Sequence, residues 1–130
     1  MPALRVERED TMGVGMPAHL KLQEFGSHVW AAFGHPPYHV GSSLTEKRDW
    51  RDVDVRLILP DDEYEALGLG KPEFPSQSEK WIALCLAFSA LGHEMTGLPI
   101  DFQIQQRTRA NEDFDGPRSA IGIVPLRRAK

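Results

Sequence analysis

A single cysteine, Cys85, has no partner for an intramolecular disulfide, which excludes the small disulfide-held scaffolds of secreted chains. It lies inside "WIALCLAF" and reads as a small core residue rather than a reactive thiol. That run is the longest nearly continuous apolar stretch, and it is far too short to cross a bilayer. The opening "MPALRVERED" lacks the apolar segment of a secretory signal. An excess of basic residues is also missing. The net charge of -4 argues against a general nucleic-acid coat, although not against a nucleotide bound through metal ions. The five histidines (His19, His28, His35, His39, His93) have no zinc-site spacing, and no repeat or low-complexity segment stands out. These absences predict a cytoplasmic chain in a reducing compartment, with no membrane partner.

What is present is the composition of an ordinary folded protein, 41% hydrophobic and 26% charged over 130 residues, enough for one domain with a real core. Residues 1–15 read as a mobile leader, 16–125 as the single domain and 126–130 as a basic tail. From Pro17 to Phe33 apolar residues recur at helical spacing until "GHPP" stops them. "YHV" reads as a short strand running into Gly41, Ser42 and Ser43. "LTEKRDW" is a loop or a single helical turn, "DVDVRLIL" the best strand, and "PDDEYEAL" a short acidic helix. A long helix follows, with Ser76 and Glu79 at capping-box spacing and Gly97 and Pro99 closing it. "PIDFQIQQ" is a second alternating strand. The remainder is polar and turn-rich, with "AIGIV" a candidate edge strand. The expected fold is α/β (α+β), a small mixed β-sheet with helices packed on one face.

The two alternating strands raise a chemical question. Val53, Val55, Leu57 and Leu59 point one way and Asp52, Asp54 and Arg56 the other; likewise Ile100, Phe102 and Ile104 oppose Asp101, Gln103 and Gln105. If the strands are neighbours, burying their apolar sets under the same helices forces Asp52, Asp54 and Asp101 together on the opposite face. Three carboxylates within reach of one another suit a hard divalent cation, which completes its shell with water and substrate phosphates. A pair of such ions can stabilise both the attacking and the leaving oxygen of a phosphoryl displacement. Gly41, Ser42 and Ser43 then read as a phosphate cradle, with Lys47 or Arg48 adding positive charge.

In this order, "HVGSS", "RDVDVRLIL" and "PIDFQIQ", separated in the last interval by a helix, the chain resembles the minimal nucleotidyltransferase domains of the DNA polymerase β-like superfamily. The resemblance spans roughly residues 17–105. It implies a nucleotidyltransferase-like fold and transfer of a nucleoside monophosphate from a nucleoside triphosphate to an acceptor hydroxyl, with pyrophosphate released. It further implies that Gly41 and Ser42 contact the triphosphate, and that Asp52 and Asp54 bind two Mg²⁺ or Mn²⁺ ions. Asp101 would bind the second ion and act as general base. The acceptor could be RNA, protein or a small molecule, and a protein partner or a homodimer could complete the site.

The chain departs from that pattern at two positions. Glu46 stands where members often carry a second glycine, and Arg51 where serine often precedes the first aspartate. These departures motivate an alternative, a catalytically inactive binding or regulatory module of antitoxin type. A metal-dependent nuclease ranks last, because Asp101 is followed by Phe102 and Gln103 with no lysine. The plainest alternative for Asp52 and Asp54 is a solvated strand edge whose charge is paired by Arg51 or Arg56. His39, next to the turn, reads as an ordinary strand histidine.

Overall fold

The computed structural model describes residues 14–45 and 50–122. In chain order the elements are α1 (Ala18–Phe33), β1 (Tyr38–Val40), α2 (Ser42–Thr45), β2 (Val53–Leu59) and α3 (Asp61–Ala66). A 3-10 turn (Pro75–Gln77) leads into α4 (Glu79–Thr96), β3 (Ile100–Gln106), α5 (Arg107–Asp113) and β4 (Ser119–Ala120). Strand order is β3-β2-β1-β4, with β2 parallel to β3 and β1 antiparallel to both β2 and β4. This is the mixed α+β sheet that the alternating strands predict.

The parallel pair follows from the long helix between its strands, since parallel neighbours need a crossover connection. Val53 N–H donates to Pro99 O at 2.9 Å, aligning the start of β2 with the start of β3. Val53, Val55, Leu57, Phe102 and Ile104 are essentially inaccessible and meet Leu22, Phe25 and Val29 from α1 in one core. Phe102 lies between the two long helices, with its ring 6.1 Å from Phe25 of α1 and 5.1 Å from Phe88 of α4. Gly26 lets α1 approach the strand end closely, because a Cβ there would overlap the backbone of Ile121.

Helix α4 also seals the free edge of β3. Trp81 Nε1 donates to Ile104 O at 2.8 Å, and Phe102 N–H donates to Ser89 Oγ at 2.9 Å. These bonds occupy backbone groups that an exposed edge would offer to another chain. Gly97 ends the helix in the left-handed region (φ 75°), its N–H donating to His93 O. The N-cap is Ser78, whose hydroxyl accepts from Trp81 N–H at 3.2 Å, and not Ser76 as the capping-box spacing suggested. Pro75 initiates a 3-10 turn that takes up Ser76 and delays the α-helix.

Other differences lie at the edges of the domain. Val14, in the stretch read as leader, is buried in the core. The region read as turn-rich contains α5, tied to α3 by Thr108 Oγ1 donating to Asp61 Oδ2 at 2.5 Å. Of "AIGIV", Ala120 lies in β4, opposite Tyr38 of β1, and Ile121 enters the core. No helix among the described residues is long and apolar enough to cross a membrane.

Candidate metal and phosphate site

The register puts Asp54 directly beside Asp101 across the β2–β3 pair, and beside Val40 on the β1 side. Both carboxylates stand on the face away from α1 and α4, since their neighbours Val53, Val55, Ile100 and Phe102 fill the helix-covered side. Asp52 precedes β2 by one residue and is exposed, so it belongs to the approach to the strand rather than to the strand itself. Its charge still reaches Asp54. Burial holds the Asp54 carboxyl above the usual carboxylate range; Arg56 pulls the other way, and Asp101 and Asp52 raise it further.

Gly41 follows β1 and turns the chain at φ 82°. Leu44 N–H closes the turn on Gly41 O at 3.0 Å. A Cβ at position 41 would run into Asp54 Oδ2, so the glycine is what allows the carboxylate to lie against the turn. Gly41→Ala is therefore expected to cost about 1–2 kcal/mol from the left-handed backbone alone and to push Asp54 out of line. Denaturant unfolding measures the first effect, and Mn²⁺ affinity the second.

Ser42 is exposed beside this turn, whereas Ser43 is drawn inward and fully buried. The Ser43 hydroxyl lies 2.6 Å from His39 Nε2. The predicted cradle thus presents Gly41 and Ser42 outward and commits the Ser43 side chain to the interior. Lys47, Arg48 and Glu46 lie outside the described residues. His39 is itself buried, and burial, with a smaller contribution from His19, lowers its pKa to about 4. A folded value below the unfolded value of 6.5 means that stability is intact above that pH and declines as pH falls toward about 4. After allowance for solvent screening the expected loss is on the order of 2 kcal/mol. Urea titrations at neutral and acid pH check this, and His39→Gln should remove the histidine share of the slope.

The third charged group on this face is Arg56. Its Nη2 lies 3.8 Å from Asp54 Oδ1 and 3.4 Å from Asp101 Oδ2. Nη1 donates to Asp101 O at 2.7 Å and to Val55 O at 3.2 Å. Of the two arginines considered as partners for the strand aspartates, Arg56 is the one that pairs with Asp54, and it pairs with Asp101 as well.

Does this arrangement suit a divalent ion? Two carboxylates in register, Asp54 lying against the glycine turn and both open to solvent on one side, are of the oxygen-donor type that Mg²⁺ or Mn²⁺ prefers. Asp54 and Asp101 would hold it, with Asp52 at the mouth. The described residues, Asp52, Asp54 and Asp101 among them, contain no group of three or more His, Cys, Asp or Glu side chains that could hold a metal ion, so the three aspartates do not converge as the alternation predicts.

Beyond Arg56 the same face runs into a cleft of about 250 Å³ lined by His35, Tyr38, Ile58, Arg107, Asn111 and Arg118. Arg118 is fixed there, donating to Asn111 Oδ1 at 3.0 Å and to Phe114 O at 3.0 Å. His35 Nε2 lies 2.7 Å from Glu63 Oε1. Sequence reasoning passed over these residues because they come from separate segments without a motif. Compared with known proteins, the chain matches no family model, no curated protein and no solved structure.

Proposed function

We propose that this protein is a metal-dependent nucleotidyltransferase that moves a nucleoside monophosphate from a nucleoside triphosphate to an acceptor hydroxyl. The observation that carries this reading is the side-by-side register of Asp54 and Asp101, with Asp54 lying against the turn at Gly41. A carboxylate pair next to backbone N–H groups at a tight turn joins a cation site to a phosphate site. A bound Mg²⁺ or Mn²⁺ would neutralise the triphosphate and the departing pyrophosphate.

The chain's own groups have separable tasks. Asp54 and Asp101 hold the cation, with Asp52 adding negative charge at the entrance. Gly41 and Ser42 receive phosphate oxygens through N–H and hydroxyl groups. Asp101 accepts the proton of the acceptor hydroxyl as that oxygen bonds to the α-phosphorus. The bridging α–β P–O bond breaks, and its electron pair leaves with pyrophosphate. The cleft with Tyr38, Arg107 and Arg118 offers an acceptor room on the same face.

The test is incubation with Mg²⁺ and each α-labelled nucleoside triphosphate, following pyrophosphate. Release that stops on chelation is expected. One observation favours a second reading: Arg56 already compensates the aspartates, as it would in an inactive nucleotide- or protein-binding module. Tight nucleotide binding by calorimetry with no pyrophosphate from any triphosphate selects that module and removes the transferase.

A further inference from the structure

We propose that the cleft beside β1 and α5 is a binding site for a small organic phosphate, held through the guanidiniums of Arg107 and Arg118. The cleft measures about 250 Å³, and its lining, which includes Tyr38, Ile58 and Asn111, contains no aspartate or glutamate. A chain with more acidic than basic residues thus turns two full positive charges toward one concave surface. The anion site rests on the cleft alone. Only its assignment to the acceptor rests on the transferase reading, and it makes that acceptor a phosphate monoester.

The contacts around the two arginines leave their charges open. Among the described residues neither one pairs with a carboxylate. The Asp61 carboxylate, which feels the charge of Arg107, is bonded to Thr108 instead. Glu63 bonds His35 and is not part of the lining. Arg118 is anchored by neutral acceptors: Nη1 donates to Asn111 Oδ1 at 3.0 Å, and Nη2 to Ala110 O at 3.2 Å and Phe114 O at 3.0 Å. These bonds fix the planar fork without cancelling its charge, so an incoming anion has little ordering to impose. A guanidinium only donates, so Asn111 accepts through Oδ1 and keeps its amide N–H groups as donors. Two separate guanidiniums match a doubly charged tetrahedral group better than a carboxylate, which carries one charge and fills one fork. The volume falls just below the roughly 300–1,000 Å³ of pockets for drug-sized ligands. It suits a small phosphate monoester whose organic part lies over Tyr38 and Ile58.

The experiment is a nuclear magnetic resonance titration of the isotope-labelled full chain, without metal or nucleotide and at constant ionic strength. The probes are methyl phosphate, inorganic phosphate and acetate. Saturable shifts are expected at the Arg107 and Arg118 guanidinium N–H and the Asn111 amide. Methyl phosphate should bind at least as tightly as inorganic phosphate, and acetate about tenfold more weakly. Arg107→Gln and Arg118→Gln should each weaken methyl phosphate binding about tenfold. Arg107 is exposed and donates to no residue of the fold among those described, so its variant decides even if Arg118→Gln fails to fold. Shifts that do not saturate, shifts confined to Gly41 and Ser42, acetate binding as tightly as methyl phosphate, or an Arg107→Gln protein with wild-type affinity would each overturn the proposal. A positive titration stands even if no pyrophosphate is ever released, and a negative one leaves the transferase reading in place with a different acceptor.

Discussion

Asparagine at position 54 is expected to abolish Mg²⁺-dependent pyrophosphate release while leaving the protein at least as stable at neutral pH. The activity loss should be at least about a hundredfold, the scale seen when one preorganised electrostatic contact is removed from a reacting centre. The stability expectation comes from proton linkage. The folded protein holds the Asp54 carboxyl above its ordinary value of 3.8, chiefly through burial and against the pull of Arg56. A raised carboxyl value means that the folded state binds the proton more tightly. Stability is then greatest below the unfolded value and falls as pH rises through the folded one. At neutral pH the ionised carboxylate is a burden that asparagine lifts. Arg56 keeps Asp101 and two carbonyls as partners, so the substitution leaves no orphaned charge. Activity and melting temperature should thus move in opposite directions, as they do where a functional group is held against its own preference. Full activity in Asp54→Asn would remove the transferase.

Phe102→Ala carries the largest expected stability effect. The side chain is 1% exposed and its ring contacts Phe25 and Phe88 from the two helices that cover the sheet. Truncating so large a buried aromatic costs about 3–5 kcal/mol, through lost transfer energy and the cavity left behind. A domain of this size has roughly 5–15 kcal/mol in total. The midpoint of urea unfolding should therefore fall steeply with little change in its slope. The consequence reaches the site because Asp101 and Gln103 flank Phe102 on the opposite face of the same strand. Slack between β3 and α4 should loosen Asp101 and weaken Mn²⁺ binding even in protein that remains folded. A loss below about 1 kcal/mol would mean that the core does not depend on this ring.

Much of this architecture is legible in residue order because two strands alternate strictly and their apolar sets must share one cover. That requirement alone brings Asp54 and Asp101 to the same face, and "YHV" before Gly41 supplies the turn. Other parts arise from contacts between distant residues. The helix α5, "RTRANED", has no apolar stripe and buries Ala110 alone. It is held by Asp61 bonding Thr108 and by Arg118 donating to Ala110 O and Phe114 O. Ser43 turns inward because the chain coils into α2 right after Gly41, bringing its hydroxyl back to His39. Arg56 was readable as a possible partner of the aspartates; its second anchor, on Asp101 O, depends on the parallel pairing of β2 with β3. Asp52 falls just short of the strand, where alternation no longer dictates which way it points.

The most direct test is a crystal structure of the protein soaked with Mn²⁺ and a non-hydrolysable nucleoside triphosphate, with the metal located by anomalous scattering. The account predicts a manganese peak at coordination distance from carboxylate oxygens of both Asp54 and Asp101, with the triphosphate against Gly41 and Ser42. A nucleotide bound elsewhere, or a metal that contacts neither aspartate, would contradict it.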